Sequence, residues 1–321
     1  MSHTKQHTMM KPLFRMLLLL VLSLGAARGF AQKFPNYPIP RQPDTLRILG
    51  IGNSFTDDGM MYLPELLEAA GIGNVVLGRL YIGGCSLERH CCEYEAGNAS
   101  YIYSKSTGNR WETVSEHATL LDGLTDEPWD IVVLQQASGK SGMYQTYRPW
   151  FGRLVEIVRW HCPNAGACIA WQQTWAYART SDHGDFGRYE KSQQLMFGAI
   201  VASVRQLQSE SSVEVVIPSG TAIQNLRGTD LCDSLDLTRD GYHLSLGAGR
   251  YTAACTWFQT LVAPAFGTNV ADNPCRLEGT PHELTPQQAQ RCRDAARRAC
   301  IRRYTVWSET DTPKTGVIPA R

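Results

Sequence analysis

Short apolar runs alternate along this chain with stretches whose apolar residues recur every three or four positions. Five runs have strand length and are bounded by turn residues: Leu46 to Gly52, Asn74 to Tyr81, Asp130 to Leu134, Ala167 to Trp171 and Val213 to Pro218. Leu63, Leu66, Leu67 and Ala70 share one face of a helix that ends at Gly71. Arg148 to Trp160, Tyr189 to Gln208 and Gly247 to Val262 give further helices, and Thr285 with Pro286 predicts the start of a last one. Residues 85 to 115 are polar, rich in Ser, Asn and Glu, and read as an inserted loop region over one end of the sheet. The alternation predicts a doubly wound parallel sheet of five strands with helices on both faces, one domain over residues 45–305 followed by a tail over 306–321. Ligands of such sheets bind beyond the carboxyl ends of the strands. Ser54, Gly84, Gln135, Gln136, Trp171, Gln172 and Trp175 all fall at those ends.

The first 31 residues stand apart. Lys11 and Arg15 precede the apolar run Met16 to Leu24, and Gly29-Phe30-Ala31 fits a signal-peptidase site. The expectation is an exported protein that begins at Gln32, with an extended lead-in to residue 44 and no stable membrane insertion after cleavage. About 290 residues remain, enough for one large domain. A net charge of +1 supplies no basic surface for nucleic acid. All ten cysteines lie in the mature region, an even number that suits disulfides in an oxidising compartment. Cys162 and Cys168 flank a short loop that a disulfide could close. Cys292 and Cys300 are separated by about 12 Å along a helix, too far to pair with each other. Either is a possible partner for Cys275. His90-Cys91-Cys92 has no second ligand pair at zinc-like spacing, so neither metal nor cofactor is expected.

Two segments carry chemistry. Gly52-Asn53-Ser54 ends the first strand in a tight turn that presents a hydroxyl at the mouth of the sheet. Late in the chain, Asp240-Gly241-Tyr242-His243 places an acid and an imidazole on one loop. Ser54 as nucleophile, His243 as base and Asp240 as orienting acid compose a triad. Asp240 is preferred to Asp236 or Asp233 because Gly241 lets the chain turn back. Oxyanion donors are expected from the Ser54 and Gly84 N–H groups and from the Gln135 or Gln136 amide. Strand alternation allows only one of the two glutamines, Gln135 being favoured. Trp171, Gln172, Trp175 and Tyr177 are candidates for a substrate platform suited to a sugar ring.

The order of these blocks resembles the SGNH hydrolase, or GDSL esterase, superfamily, over roughly residues 45 to 262. The serine block matches at Gly52-Asn53-Ser54, the glycine block at Gly84 and the last block at Asp240 and His243. Gly-Asn-Ser-Phe, Leu-Gln, Thr-Trp-Ala-Tyr and Asp-Gly-x-His-Leu, here residues 52–55, 134–135, 174–177 and 240–244, resemble most a group of secreted bacterial proteins carried as a domain of unknown function. Asn53 stands where the superfamily usually has aspartate. Leu134-Gln135-Gln136-Ala137-Ser138-Gly139 replaces its Gly-x-Asn-Asp block, and a glutamine occurs there in some carbohydrate acetylesterases. The resemblance implies a three-layer α/β/α, flavodoxin-like fold. It also implies a metal-independent esterase acting on an acylated carbohydrate. A lipase or thioesterase, or a non-catalytic sugar-binding module, are the rival expectations.

Overall fold

The computed structural model describes Pro38 and residues 41–108 and 110–307. The expected signal peptide and most of the tail lie outside the described residues. A seven-stranded sheet has the order β4-β3-β2-β1-β5-β6-β7. Its strands are β1 (Leu46–Gly52), β2 (Val75–Tyr81), β3 (Tyr101–Ser106), β4 (Glu112–Ala118), β5 (Ile131–Leu134), β6 (Cys168–Gln172) and β7 (Val215–Ile217). The five expected strands are all present and pair in parallel. Taken alone, they run in the order second, first, third, fourth, fifth, the flavodoxin-like arrangement, whose direction of winding reverses between β1 and β5. These strands are buried almost throughout, as continuous apolar runs covered on both faces require.

Residues 85–115 correct the expectation of a loop. They hold α3 (Leu87–Glu95), then β3 and the start of β4, which extend the sheet in antiparallel pairing. Edge position explains why no apolar run betrays β4: six of its seven residues are exposed or half-buried, and two are glutamates. Charged edges also discourage pairing with other chains.

The remaining α-helices of seven residues or more are α1 (Ser54–Met60), α2 (Leu63–Ala69), α4 (Leu120–Asp126), α5 (Trp150–His161), α6 (Gln193–Glu210), α7 (Ser219–Arg227), α8 (Ala248–Trp257) and α9 (Pro286–Ile301). Helices α1, α2, α7, α8 and α9 pack in one group, and α3, α4 and α5 in another. Thr285 caps α9 in a capping box with Gln288, with Pro286 at the first helical position. The helix expected over residues 247–262 is α-helical only to Trp257, and Phe258–Val262 form a π-helical turn. Pro264 accounts for the widening, because its ring would strike the carbonyl of residue 260 in a regular α-helix. Among the described residues no helix is long and apolar enough to cross a membrane.

All ten cysteines are free thiols, which corrects the expected disulfides. Cys162 Sγ faces the Trp129 carbonyl at 3.9 Å and Cys292 Sγ that of Ala248 at 3.8 Å, so each behaves as a small buried donor. Burial pushes the Cys85, Cys91, Cys168 and Cys292 thiols up to about 12, far from thiolate reactivity.

Gly220, in the first turn of α7, lies directly against the chain leaving β6: a Cβ there would sit 2.1 Å from the Thr174 carbonyl oxygen. A backbone atom cannot rotate aside. Gly220→Ala is therefore expected to cost about 3 kcal/mol of stability, measured by urea unfolding, with a shifted 173–177 segment. An unchanged midpoint would contradict this packing.

Candidate active site

β1 delivers the chain to Asn53, whose side chain caps α1 by accepting from Phe55 N at 3.0 Å. Ser54 is the first residue of that helix, so its N–H has no intrahelical acceptor. The late loop is a small hairpin closed by a Thr238–Leu244 bridge and by Arg239 N donating to the His243 carbonyl at 2.9 Å. Gly241 takes φ +90 at its tip, a conformation side chains rarely adopt. The turn brings Asp240 and His243 together: Nδ1 meets Asp240 Oδ2 at 2.6 Å, and His243 Nε2 meets Ser54 Oγ at 2.8 Å. Asp240 Oδ1 also accepts from His243 N at 2.8 Å and Tyr242 N at 3.2 Å. Burial raises the Asp240 carboxyl's pKa, but the His243 ring and the two backbone donors outweigh it and hold the group below its ordinary range. Asp240 is thus an ionised acceptor that fixes the imidazole.

Ser54 and His243 open on a cleft of about 290 Å³, lined also by Phe55, Tyr81, Gly83, Gly84, Ala137, Ser138, Gly139, His183, Asp185 and Tyr242. It sits where the sheet reverses direction, between the loops that follow β1 and β5. Gly84 has φ +62, which lets its backbone face the cleft without a side chain.

Neither glutamine lines the cleft, a correction to the expected oxyanion donors. Gln135 Nε2 donates to Asn53 Oδ1 at 2.5 Å. Gln136 Nε2 donates to Thr146, while its Oε1 accepts from Ala137 N and Leu87 N. Both amides are buried and committed within the fold.

The expected platform is corrected as well. Trp171 packs against Tyr147 and Phe151 inside the core, and Tyr177 hydroxyl meets Ser138 Oγ at 2.8 Å. Trp175 is fully buried, stacks on Phe55 with centroids 4.3 Å apart, and donates Nε1 to the Tyr242 carbonyl at 2.8 Å. Gln172 donates to the Phe55 carbonyl at 2.9 Å. Trp175 and Gln172 brace the serine turn from beneath, and Trp175 ties it to the histidine loop.

The family model for a domain of unknown function, DUF4886, matches residues 47–299. The chain belongs to the DUF4886 family. A DUF4886 protein from Bacteroides uniformis is 37% identical with a TM-score of 0.75, the match covering 83% of this chain and 99% of that one. Two looser likenesses have TM-scores of 0.45. One is a candidate SGNH hydrolase of Slackia heliotrinireducens, 22% identical over 67% of this chain and 98% of that one. The other is the acetylxylan esterase Axe2 of Geobacillus stearothermophilus, 13% identical over 68% and 94%. Comparison with curated proteins finds no match.

Two features of this DUF4886 chain escaped the reading of its sequence. The first is a charge network behind the site. Asp58, fully buried, accepts from Leu244 N at 2.8 Å, Arg250 Nε at 2.6 Å and Arg239 Nη1 at 3.1 Å. Asp57 pairs with Arg79 at 2.6 Å. Its trace in the sequence is two acids one turn after Ser54 and arginines on either side of the Asp-x-x-His, which do not by themselves reveal burial or pairing. The second is the pair His183 and Asp185, which line the cleft although no strand end marks them. His90, by contrast, is buried against Tyr101, and burial pushes it down to about 3, so it stays neutral. Among the described residues no group of three or more His, Cys, Asp or Glu stands close enough to hold a metal ion.

Asp236, a rejected alternative to Asp240, has a separate task. Its carboxylate accepts from Arg179 N at 2.7 Å, Arg179 Nη2 at 2.7 Å and Gln193 Nε2 at 3.1 Å, tying the segment before the hairpin to the one after β6. Burial raises its pKa, but the Arg179 hydrogen bonds and the Arg227 and Arg179 charges prevail and hold it at about 2. A depressed folded value stabilises the protein above the unfolded carboxyl's range, and that contribution disappears as pH falls through about 2. Asp236→Asn is expected to cost roughly 2 kcal/mol at pH 7. In urea titrations its deficit against the wild type should narrow below pH 4 and close near pH 2.

Proposed function

We propose that this DUF4886 protein is an exported serine ester hydrolase that removes short acyl groups, acetyl foremost, from carbohydrate hydroxyls. The observation that carries the reading is the unbroken hydrogen-bonded line from Ser54 Oγ through His243 to Asp240, opening on a cleft. Ser54 Oγ attacks the acyl carbonyl as His243 Nε2 takes its proton, and Asp240 stabilises the imidazolium that forms. The oxyanion of the tetrahedral intermediate is received by the Ser54 and Gly84 N–H groups. The intermediate collapses to an acyl-serine as His243 returns the proton to the departing alcohol. Water then enters by the same route, and the acid and Ser54 are released. The volume of about 290 Å³ favours a short acyl group over the long chain of a lipase substrate.

Phenyl acetate hydrolysis tests the chemistry. Ser54→Ala and His243→Ala are each expected to lower kcat by orders of magnitude, and Asp240→Asn by somewhat less. Wild-type rates in Ser54→Ala would end the proposal, and no turnover by the wild type itself would leave a sugar-binding module as the better reading. The proposed steps use no metal ion, so dialysis against a chelator should leave turnover unchanged. Activity lost to the chelator and restored by zinc would reverse that assignment.

A further inference from the structure

Among the residues that line the cleft, His183 and Asp185 have no part in this chemistry. Asp185 Oδ1 is held by Arg188 Nε at 2.8 Å, whereas Oδ2 has no hydrogen-bond partner among the described residues. Oδ2 lies over Gly139 on the cleft wall, where a Cβ would come within 2.0 Å of it. The missing side chain at 139 is what admits the carboxylate to the cleft. His183 Nδ1 accepts from Asp185 N at 3.1 Å, which in the neutral ring puts the proton on Nε2, a donor without a partner among the described residues. The ring rests edge-on against Tyr242, with centroids 4.7 Å apart, and Tyr242 packs in turn against His243 at 4.2 Å. A carboxylate acceptor, an imidazole donor and an aromatic ring thus stand beside the proposed nucleophile in one cleft. Among the described residues that line it there is no Lys or Arg.

We propose that Asp185 and His183 form the subsite that holds the alcohol portion of the ester, and that this subsite selects a neutral polyhydroxylated ring over an anionic one. The inference rests on the esterase reading of Ser54. A carboxylate with an unpaired oxygen accepts from sugar hydroxyls in charge-assisted hydrogen bonds, and His183 donates to a neighbouring hydroxyl. Asp185 Oδ2, the oxygen that Arg188 leaves open, disfavours a uronate at the same place, with Arg188 on Oδ1 offsetting part of the charge. Tyr242 offers its ring to the apolar face of the sugar.

The probes are methyl glucoside bearing random O-acetyl groups, methyl glucuronoside acetylated in the same way, and phenyl acetate. In Asp185→Ala, kcat/KM for the acetylated glucoside relative to phenyl acetate is expected to fall about 30-fold, the worth of a hydrogen bond to a charged group. Gly139→Ala should reproduce the loss by displacing the carboxylate. Asp185→Asn should narrow the preference for the glucoside over the glucuronoside. A second arm needs no turnover: NMR-detected binding of the acetylated glucoside to Ser54→Ala should disappear on adding Asp185→Ala. Equal losses on glucoside and phenyl acetate, an unaltered glucuronoside ratio, or unchanged binding in the double variant would overturn the inference. Failure of the esterase reading is distinct, since it appears as phenyl acetate hydrolysis that is indifferent to Ser54→Ala.

Discussion

Asp58 lies one helical turn beyond Ser54, fully buried, and its carboxylate receives the Leu244 N–H, Arg250 and Arg239. Two of those donors belong to the hairpin that carries Asp240 and His243, and the third to the first turn of α8. Segments almost 190 residues apart in sequence are thereby fixed to one another through a single side chain. A buried ion pair gains little net stability, because desolvation offsets most of the attraction. Its worth here is directional. Every Asp58 oxygen is occupied by a donor at defined geometry, so the hairpin cannot slide along α1 without leaving a buried charge unpaired, a penalty of several kcal/mol. The Ser54–His243 distance of 2.8 Å is a consequence of that constraint as much as of the two residues themselves.

Aromatic packing holds the same joint from below. Trp175 stacks on Phe55, the residue after Ser54, and donates its indole N–H to Tyr242, the residue before His243. The charged clamp and the stacked clamp therefore act on the same two backbone segments from different sides. With both engaged, Ser54 and His243 stand on a rigid scaffold, and the loops after β2, β5 and β6 shape the rest of the cleft. This division explains why Ser54 follows a strand covered on both faces while His183 and Asp185 come from a short 3-10 turn in the connection after β6.

What could be read from the sequence follows from how each feature is encoded. The five parallel strands are legible because covering both faces forces an apolar residue at nearly every position. β3 and β4 are not, because an edge hairpin with Lys105 and Glu112 carries no such run. Ser54, Asp240 and His243 were legible as spacing within two local turns, and the structure brings them into contact. The platform of Trp171, Trp175 and Tyr177 failed for a specific reason: a position at a strand end says that a side chain is near the mouth, but not whether it points outward or under the turn. Asp58 was equally hidden, since a buried acid and an exposed one look the same until the partner arginines are folded onto it.

The two departures from the pattern that the sequence resembles turn out to be one feature. Asn53, where aspartate is usual, and Gln135, in the segment that replaces the asparagine block, are joined by Gln135 Nε2 donating to Asn53 Oδ1. Asn53 also donates Nδ2 to the Cys85 carbonyl at 2.9 Å, next to Gly84 on the cleft. An aspartate in that place could accept from Gln135 and from Phe55 N. It could not donate to Cys85, and it would set a carboxylate against a buried carbonyl oxygen, with neither able to supply a proton at neutral pH. The amide at 53 thus links three loops at once, those after β1, β2 and β5. The longer glutamine reaches down to it instead of out into the cleft. The amide that the resemblance would aim at an oxyanion is spent on holding the turn, and in the proposed mechanism the charge of the tetrahedral intermediate is left to the backbone donors of Ser54 and Gly84.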